Sequence, residues 1–120
     1  MVLAVTMGDP AGIGGELTLQ AWLEREGRAV PAFCAIDNPA RLRSLVERLG
    51  WPVAIQEVQS VSDAAECFEN AVPVLPIDLP VIAIPARPDG ANASAVVASI
   101  EKAAALAQDG SAAGIVTQPV

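Results

Sequence analysis

The sequence predicts an α/β fold: three α/β/α layers around a mostly parallel sheet. Three observations predict it. Short apolar runs alternate with stretches of helical periodicity along the whole chain, which implies right-handed βαβ units. Hydrophobic residues make up 52% of the 120 and aromatic residues only 3%, so Ala, Val, Leu and Ile must build the core, as in strands buried on both faces. A glycine-rich stretch follows the first apolar run directly, where open α/β sheets place their ligands. The length suits one α/β domain, residues 1–120, and is too short for two.

Val2 to Thr6 reads as a short buried strand, ended by Gly8-Asp9-Pro10. A helix is expected from about Ala11 to Glu26, with Ile13, Leu17 and Ala21 on one stripe and Gly27 just past its end. Ala32 to Ile36 is a second strand. The next helix carries the clearest signals: Asn38 as cap, Pro39 at the first helical position, Leu42, Leu45, Val46 and Leu49 at core spacing, and Gly50 as terminator. Pro52 to Gln56 suggests a further strand.

Residues 57 to 90 are less regular. Val72–Leu75 and Val81–Ile84 read as short extended segments among Pro73, Pro76, Pro80, Pro85 and Pro88, which points to edge strands or a surface excursion. A long helix is then expected from Asn92 to Asp109, with Val96, Ile100, Ala103, Ala104 and Ala107 on one face and Gly110 as stop. Gly114 to Thr117 closes the series as a last strand.

Fourteen acids against seven bases give a net charge of −7, with no basic patch for nucleic acid or an anionic membrane. No apolar run reaches membrane-spanning length, and no secretory leader opens the chain, so the cytoplasm is the expected compartment. Cys34 and Cys67 are spaced as free thiols rather than as a metal motif. There is no histidine, so neither a His-based metal site nor a Ser-His-Asp or Cys-His arrangement can be built from this chain alone.

The informative stretch runs from Thr6 to Glu16. Glycines let the backbone approach a ligand, and amides at a helix start favour an anionic group. No lysine is present for a phosphate loop of the Gly-Lys-Ser/Thr kind. A GxGxxG pattern begun at Gly12 and Gly14 fails at Leu17. Asp37, at the end of the second strand, has two readings: a ribose-binding acid, or part of an Asp37-Asn38 helix cap. The loop likewise reads either as a ligand-contacting segment or as a chain-reversing turn.

The string MGDPAGIGGE closely resembles the opening signature of the 4-hydroxythreonine-4-phosphate dehydrogenase family, T-x-G-D/E-P-A-G-I-G-P-E. Two further segments match in order. PDGANASAVVASIEKAAALAQDG resembles the family's Asn-Ala opening of a long helix, and AAGIVTQPV resembles its A-x-V-T-x-P-I strand end. Gly15 departs from the family's proline.

The resemblance implies a fold like that of the isocitrate and isopropylmalate dehydrogenases, with two α/β/α domains around a cleft. It also implies NAD as cofactor, a divalent metal (zinc, magnesium or cobalt), and a phosphorylated hydroxy amino acid as substrate. That substrate is oxidised and then decarboxylated, by an enzyme that is a homodimer when complete. The loop from Gly8 to Gly14 and the strand end at Thr117 to Pro119 are expected to face the cleft. Gly8, Gly12 and Gly14 would permit close approach of cofactor or substrate. Asp9 either contacts it or caps the following helix, and Thr117 either donates to a ligand or closes the strand. No catalytic residue or metal ligand is expected before Val120, because the family's lysine, His-Thr pair and metal-binding histidines fall later. The chain alone is therefore expected to be inactive, with an unpaired sheet edge, an uncovered apolar face and a tendency to self-associate. A relative acting on 4-phosphoerythronate or 4-phosphothreonate, and a non-catalytic nucleotide- or phosphate-binding module, remain open alternatives.

Overall fold

A computed structural model describes residues 1–80, 82–84 and 86–119. Strands β1 (Leu3–Thr6), β2 (Phe33–Asp37), β3 (Ile55–Glu57), β4 (Val72–Pro76) and β5 (Gly114–Val116) form one sheet in the order β3-β4-β2-β1-β5. Every pairing in it is parallel. The helices are α1 (Gly14–Leu23), α2 (Pro39–Leu49), α3 (Val61–Cys67) and α4 (Ala93–Gln108), the last entered through a 3-10 turn at Gly90–Asn92.

Two hydrophobic clusters, one per sheet face, give the three layers. Phe33 and Ala35 of β2 point into a cluster with Leu19, Trp22, Leu42 and Leu45 from α1 and α2. Their neighbours Cys34 and Ile36 point the other way, to Val61, Ala64 and Ala103 from α3 and α4. This is the strand's period of two, apolar on both sides. All five residues of β2 are buried.

The chain moves from β1 to β2 on one side and later crosses back from β4 to β5 on the other side of β1. That reversal makes the carboxyl ends of β1 and β5 flank a topological switch point, the usual ligand crevice of such sheets.

The predicted α2 holds closely. Asn38 accepts a hydrogen bond from the Arg41 amide, Pro39 opens the helix, and Gly50 ends it at φ 68°. The first helix differs. It begins at Gly14 rather than Ala11, because Asp9 holds residues 9–12 in a turn: its carbonyl accepts from Gly12 N. Its buried face is Gly15, Thr18, Leu19 and Trp22, not the Ile13–Leu17–Ala21 stripe, and Ile13 and Leu17 are exposed. The helix also ends early, at Leu23, so Gly27 does not terminate it.

The irregular region contains a helix, α3, and a strand, β4, of which only the strand carries prolines. Ser60 caps α3 through the Asp63 amide. β4 is an interior strand between β3 and β2, not an edge. Pro73 is tolerated there because the paired register with β2 starts one residue later, at Val74. Of the expected segment Val81–Ile84, Val81 lies outside the described residues and Ile84 forms only an isolated bridge with Arg87. The long helix α4 lies where expected but is rotated. Ala95, Ser99 and Ala103 are buried, while Val97 and Ile100 are exposed, because only small side chains fit between this helix and β1.

Candidate functional site

The glycine-rich loop leaves β1 at Met7, which is fully buried. Gly8 adopts φ 69°, and a Cβ there would lie 2.5 Å from the Pro119 carbonyl oxygen and 2.8 Å from Gln118 Cβ. A Cβ on Gly14 would lie 2.9 Å from the Met7 carbonyl oxygen and 3.0 Å from Gln118 Cβ. Both glycines therefore let the β1 loop close against the segment after β5. Asp9 N donates to the Pro119 carbonyl at 2.9 Å, and the Asp9 carboxylate accepts from Ala11 N at 2.9 Å.

Gln118 completes the junction. Its amide N–H donates to Thr6 Oγ1 at 3.1 Å, and its side-chain nitrogen donates to Thr18 Oγ1 at 2.9 Å. The carboxyl ends of β1 and β5 and the start of α1 thus form one hydrogen-bonded unit. Of the five expected site residues, Gly8, Asp9 and Gly14 meet at this junction, with Gly8 and Gly14 buried and Asp9 half-buried. Gly12 and Thr117 are exposed beside it. Gln118 belongs to the strand end expected at the cleft and Thr6 opens the glycine-rich stretch, whereas Thr18 lies outside both. Thr18, inside α1, carries no sequence pattern that marks it as a partner of Gln118.

A cleft of about 390 Å³ opens next to the loop, bounded by Gly12, Glu16, Asn38, Arg41, Ser44 and Arg48. Arg41 is pinned inside it: Nε and one terminal nitrogen donate to the two Asp37 oxygens at 3.1 and 2.8 Å. The other terminal nitrogen donates to the Pro10 carbonyl at 3.2 Å. Asp37 is only 2% exposed, and it also accepts from Asn38 N at 2.6 Å. Burial pushes its carboxyl above the usual carboxylate range, outweighing the opposing pull of Arg41. Asp37 is thus a buried anchor for Arg41, and Asn38 is the cap.

The same arginine explains position 15. A Cβ on Gly15 would lie 2.8 Å from Leu45 Cδ2 and 3.0 Å from an Arg41 terminal nitrogen, so α1 packs on α2 through this glycine. Cys34 is buried and unpaired, and burial pushes its thiol up to about 12, which makes it a core residue rather than a nucleophile. Among the described residues, no group of three or more His, Cys, Asp or Glu is placed to hold a metal, and no helix is long and apolar enough to cross a membrane.

The family model described as pyridoxal phosphate biosynthetic protein PdxA matches residues 29–120. The chain belongs to this family. The glycine-rich loop precedes the matched span, but relatives extend over it. A 4-hydroxythreonine-4-phosphate dehydrogenase of Methylorubrum extorquens is 47% identical over 98% of the chain. One from Xanthobacter autotrophicus is 42% identical over the same share. The chain spans only about a third of the length of such relatives, 34% and 33% respectively.

Solved structures agree in fold. The 4-hydroxythreonine-4-phosphate dehydrogenase from Klebsiella pneumoniae superposes with a TM-score of 0.80 at 27% identity, over 98% of this chain and 37% of that one. The Burkholderia phymatum enzyme gives a TM-score of 0.85 at 24% identity, over 97% and 35%, a likeness of fold alone.

Proposed function

We propose that this chain forms the first α/β unit of an NAD-dependent, metal-requiring 4-hydroxythreonine-4-phosphate dehydrogenase. The whole enzyme is a cytoplasmic homodimer. It oxidises a secondary alcohol of a phosphorylated hydroxy amino acid and releases carbon dioxide from the resulting β-keto acid. The observation that carries this reading is the 47% identity to a dehydrogenase of that name across 98% of the chain.

The loop suits a dinucleotide. Among the described residues no side chain caps α1, and an uncapped helix start favours an anionic group. Gly12 is exposed and presents bare backbone beside the cleft, and Thr117 offers an exposed hydroxyl. Bound NAD would accept the hydride. Gly8 and Gly14 hold the loop against the β5 end, Asp9 fixes its turn, and Gly12 and Thr117 contact the cofactor. Among the described residues, no group of three or more His, Cys, Asp or Glu fits a divalent metal.

Titration of the protein with NAD, followed by amide NMR, tests the binding role. Saturable shifts at Gly12, Asp9 and Thr117 are expected. Shifts elsewhere that leave these three unmoved would remove the loop from the cofactor site.

A further inference from the structure

We infer that Ser99, a residue of α4, is the positioning residue that sets where the glycine-rich loop leaves the sheet. Ser99 is fully buried, and its hydroxyl makes two bonds to the backbone. It accepts from Met7 N at 2.9 Å and donates to the Ile36 carbonyl at 2.7 Å. Those two groups have a specific relation in the sheet. Leu3 N donates to the Ala32 carbonyl, and the parallel register pairs Leu3 with Phe33 and Thr6 with Ile36. Amides along a parallel strand bond alternately to one side, so the β1 amides at 3, 5 and 7 aim at the β2 carbonyls at 32, 34 and 36. Met7 N and the Ile36 carbonyl are thus donor and acceptor of the next rung, and the Ser99 hydroxyl bridges them.

The bridge lies at the last residue before Gly8. It satisfies both buried backbone groups while the regular strand β1 stops at Thr6. A hydroxyl with one lone pair on an amide and its proton on a carbonyl fixes both partners in direction. The position of Met7 then propagates to Gly8, whose contacts with Gln118 and Pro119 leave no slack. This assignment also accounts for the rotation of α4. Placing Ser99 at the sheet turns Ala95 and Ala103 inward and leaves Ile100 at the surface. The role in ligand binding rests on the reading of the loop given above, whereas the bridge itself does not.

The test uses Ser99→Ala, which removes the bridge, and Ser99→Cys, which keeps a weaker donor and acceptor of similar size. Amide hydrogen exchange is read at Met7 against Val5, its neighbour on the same strand edge. The inference predicts at least a tenfold rise in Met7 exchange relative to Val5 in Ser99→Ala, with an intermediate rise in Ser99→Cys. NAD titration should show at least a threefold weaker response at Gly12 in Ser99→Ala, partly restored in Ser99→Cys. Equal acceleration of Met7 and Val5, or none, overturns the bridge. Selective Met7 exchange with unchanged NAD affinity overturns the positioning role. If the unsubstituted protein shows no NAD response, the cofactor reading fails, and the exchange ratio alone decides the bridge.

Discussion

Replacing Gly8 with alanine isolates the junction between the two strand ends. The left-handed backbone at φ 69° disfavours any Cβ, at about 1–2 kcal/mol for a non-glycine residue. The added carbon would also lie 2.5 Å from the Pro119 oxygen, so the loop or the 118–119 segment must move. Moving either strains the Asp9 N–Pro119 O hydrogen bond, worth about 1 kcal/mol. A total loss of about 2–3 kcal/mol follows, set against about 0.4–1 kcal/mol gained from stiffening the unfolded chain.

Gly12→Ala is the control. A Cβ there meets nothing nearer than the Asp9 carbonyl oxygen at 3.3 Å, so stability should change by less than about 1 kcal/mol. Urea unfolding reports both through Trp22, which is buried and donates its indole N–H to the Phe68 carbonyl at 2.7 Å. Gly8→Ala should lower the midpoint clearly and Gly12→Ala should not. Equal effects from the two would refute the packing account of Gly8.

Arg41→Ala should destabilise by about 3–5 kcal/mol, because it strands a buried carboxylate; thermal unfolding measures it, and Asp37→Asn in the same background should recover part of the loss. The raised carboxyl of Asp37 sets a pH dependence. Its contribution is fully present below the ordinary value of 3.8 and is lost as pH rises through the higher folded value, so a carboxyl NMR titration should find its midpoint above 3.8. Ser60→Ala removes the cap of α3 and should cost about 1 kcal/mol in denaturant unfolding. The outer edge of β5 carries exposed Ile115 and Val116, so sedimentation should show self-association that Ile115→Lys reduces, and a sharp monomeric boundary would contradict it.

The fold was legible where local chemistry and periodicity agreed. Asn38, Pro39 and Gly50 each act through their own backbone, so α2 could be read from its ends inward. The buried faces of α1 and α4 were not legible. Large apolar residues marked Ile13, Leu17 and Ile100, but close packing selects small ones, and Gly15 and Ser99 lie inward instead. Proline frequency misdirected the reading of β4, because the cost of Pro73 depends on where pairing begins, a tertiary fact. α3 is short, at seven residues, and its one local signal is the Ser60 cap on the Asp63 amide. At the candidate site, the loop could be found from its glycines. The pairing of Gln118 with Thr6 and Thr18 could not, since those hydrogen bonds join residues about a hundred positions apart. The glycine at position 15, a departure from the family signature, has a tertiary reason: Leu45 and Arg41 of α2 lie over it.

NADH formation by the gene product that carries this sequence tests the central claim most directly. With NAD, a divalent metal and 4-hydroxythreonine 4-phosphate, the account predicts NADH release together with carbon dioxide, and a clear loss of rate in Gly8→Ala. No NADH from that substrate by the folded, metal-supplied protein would contradict it.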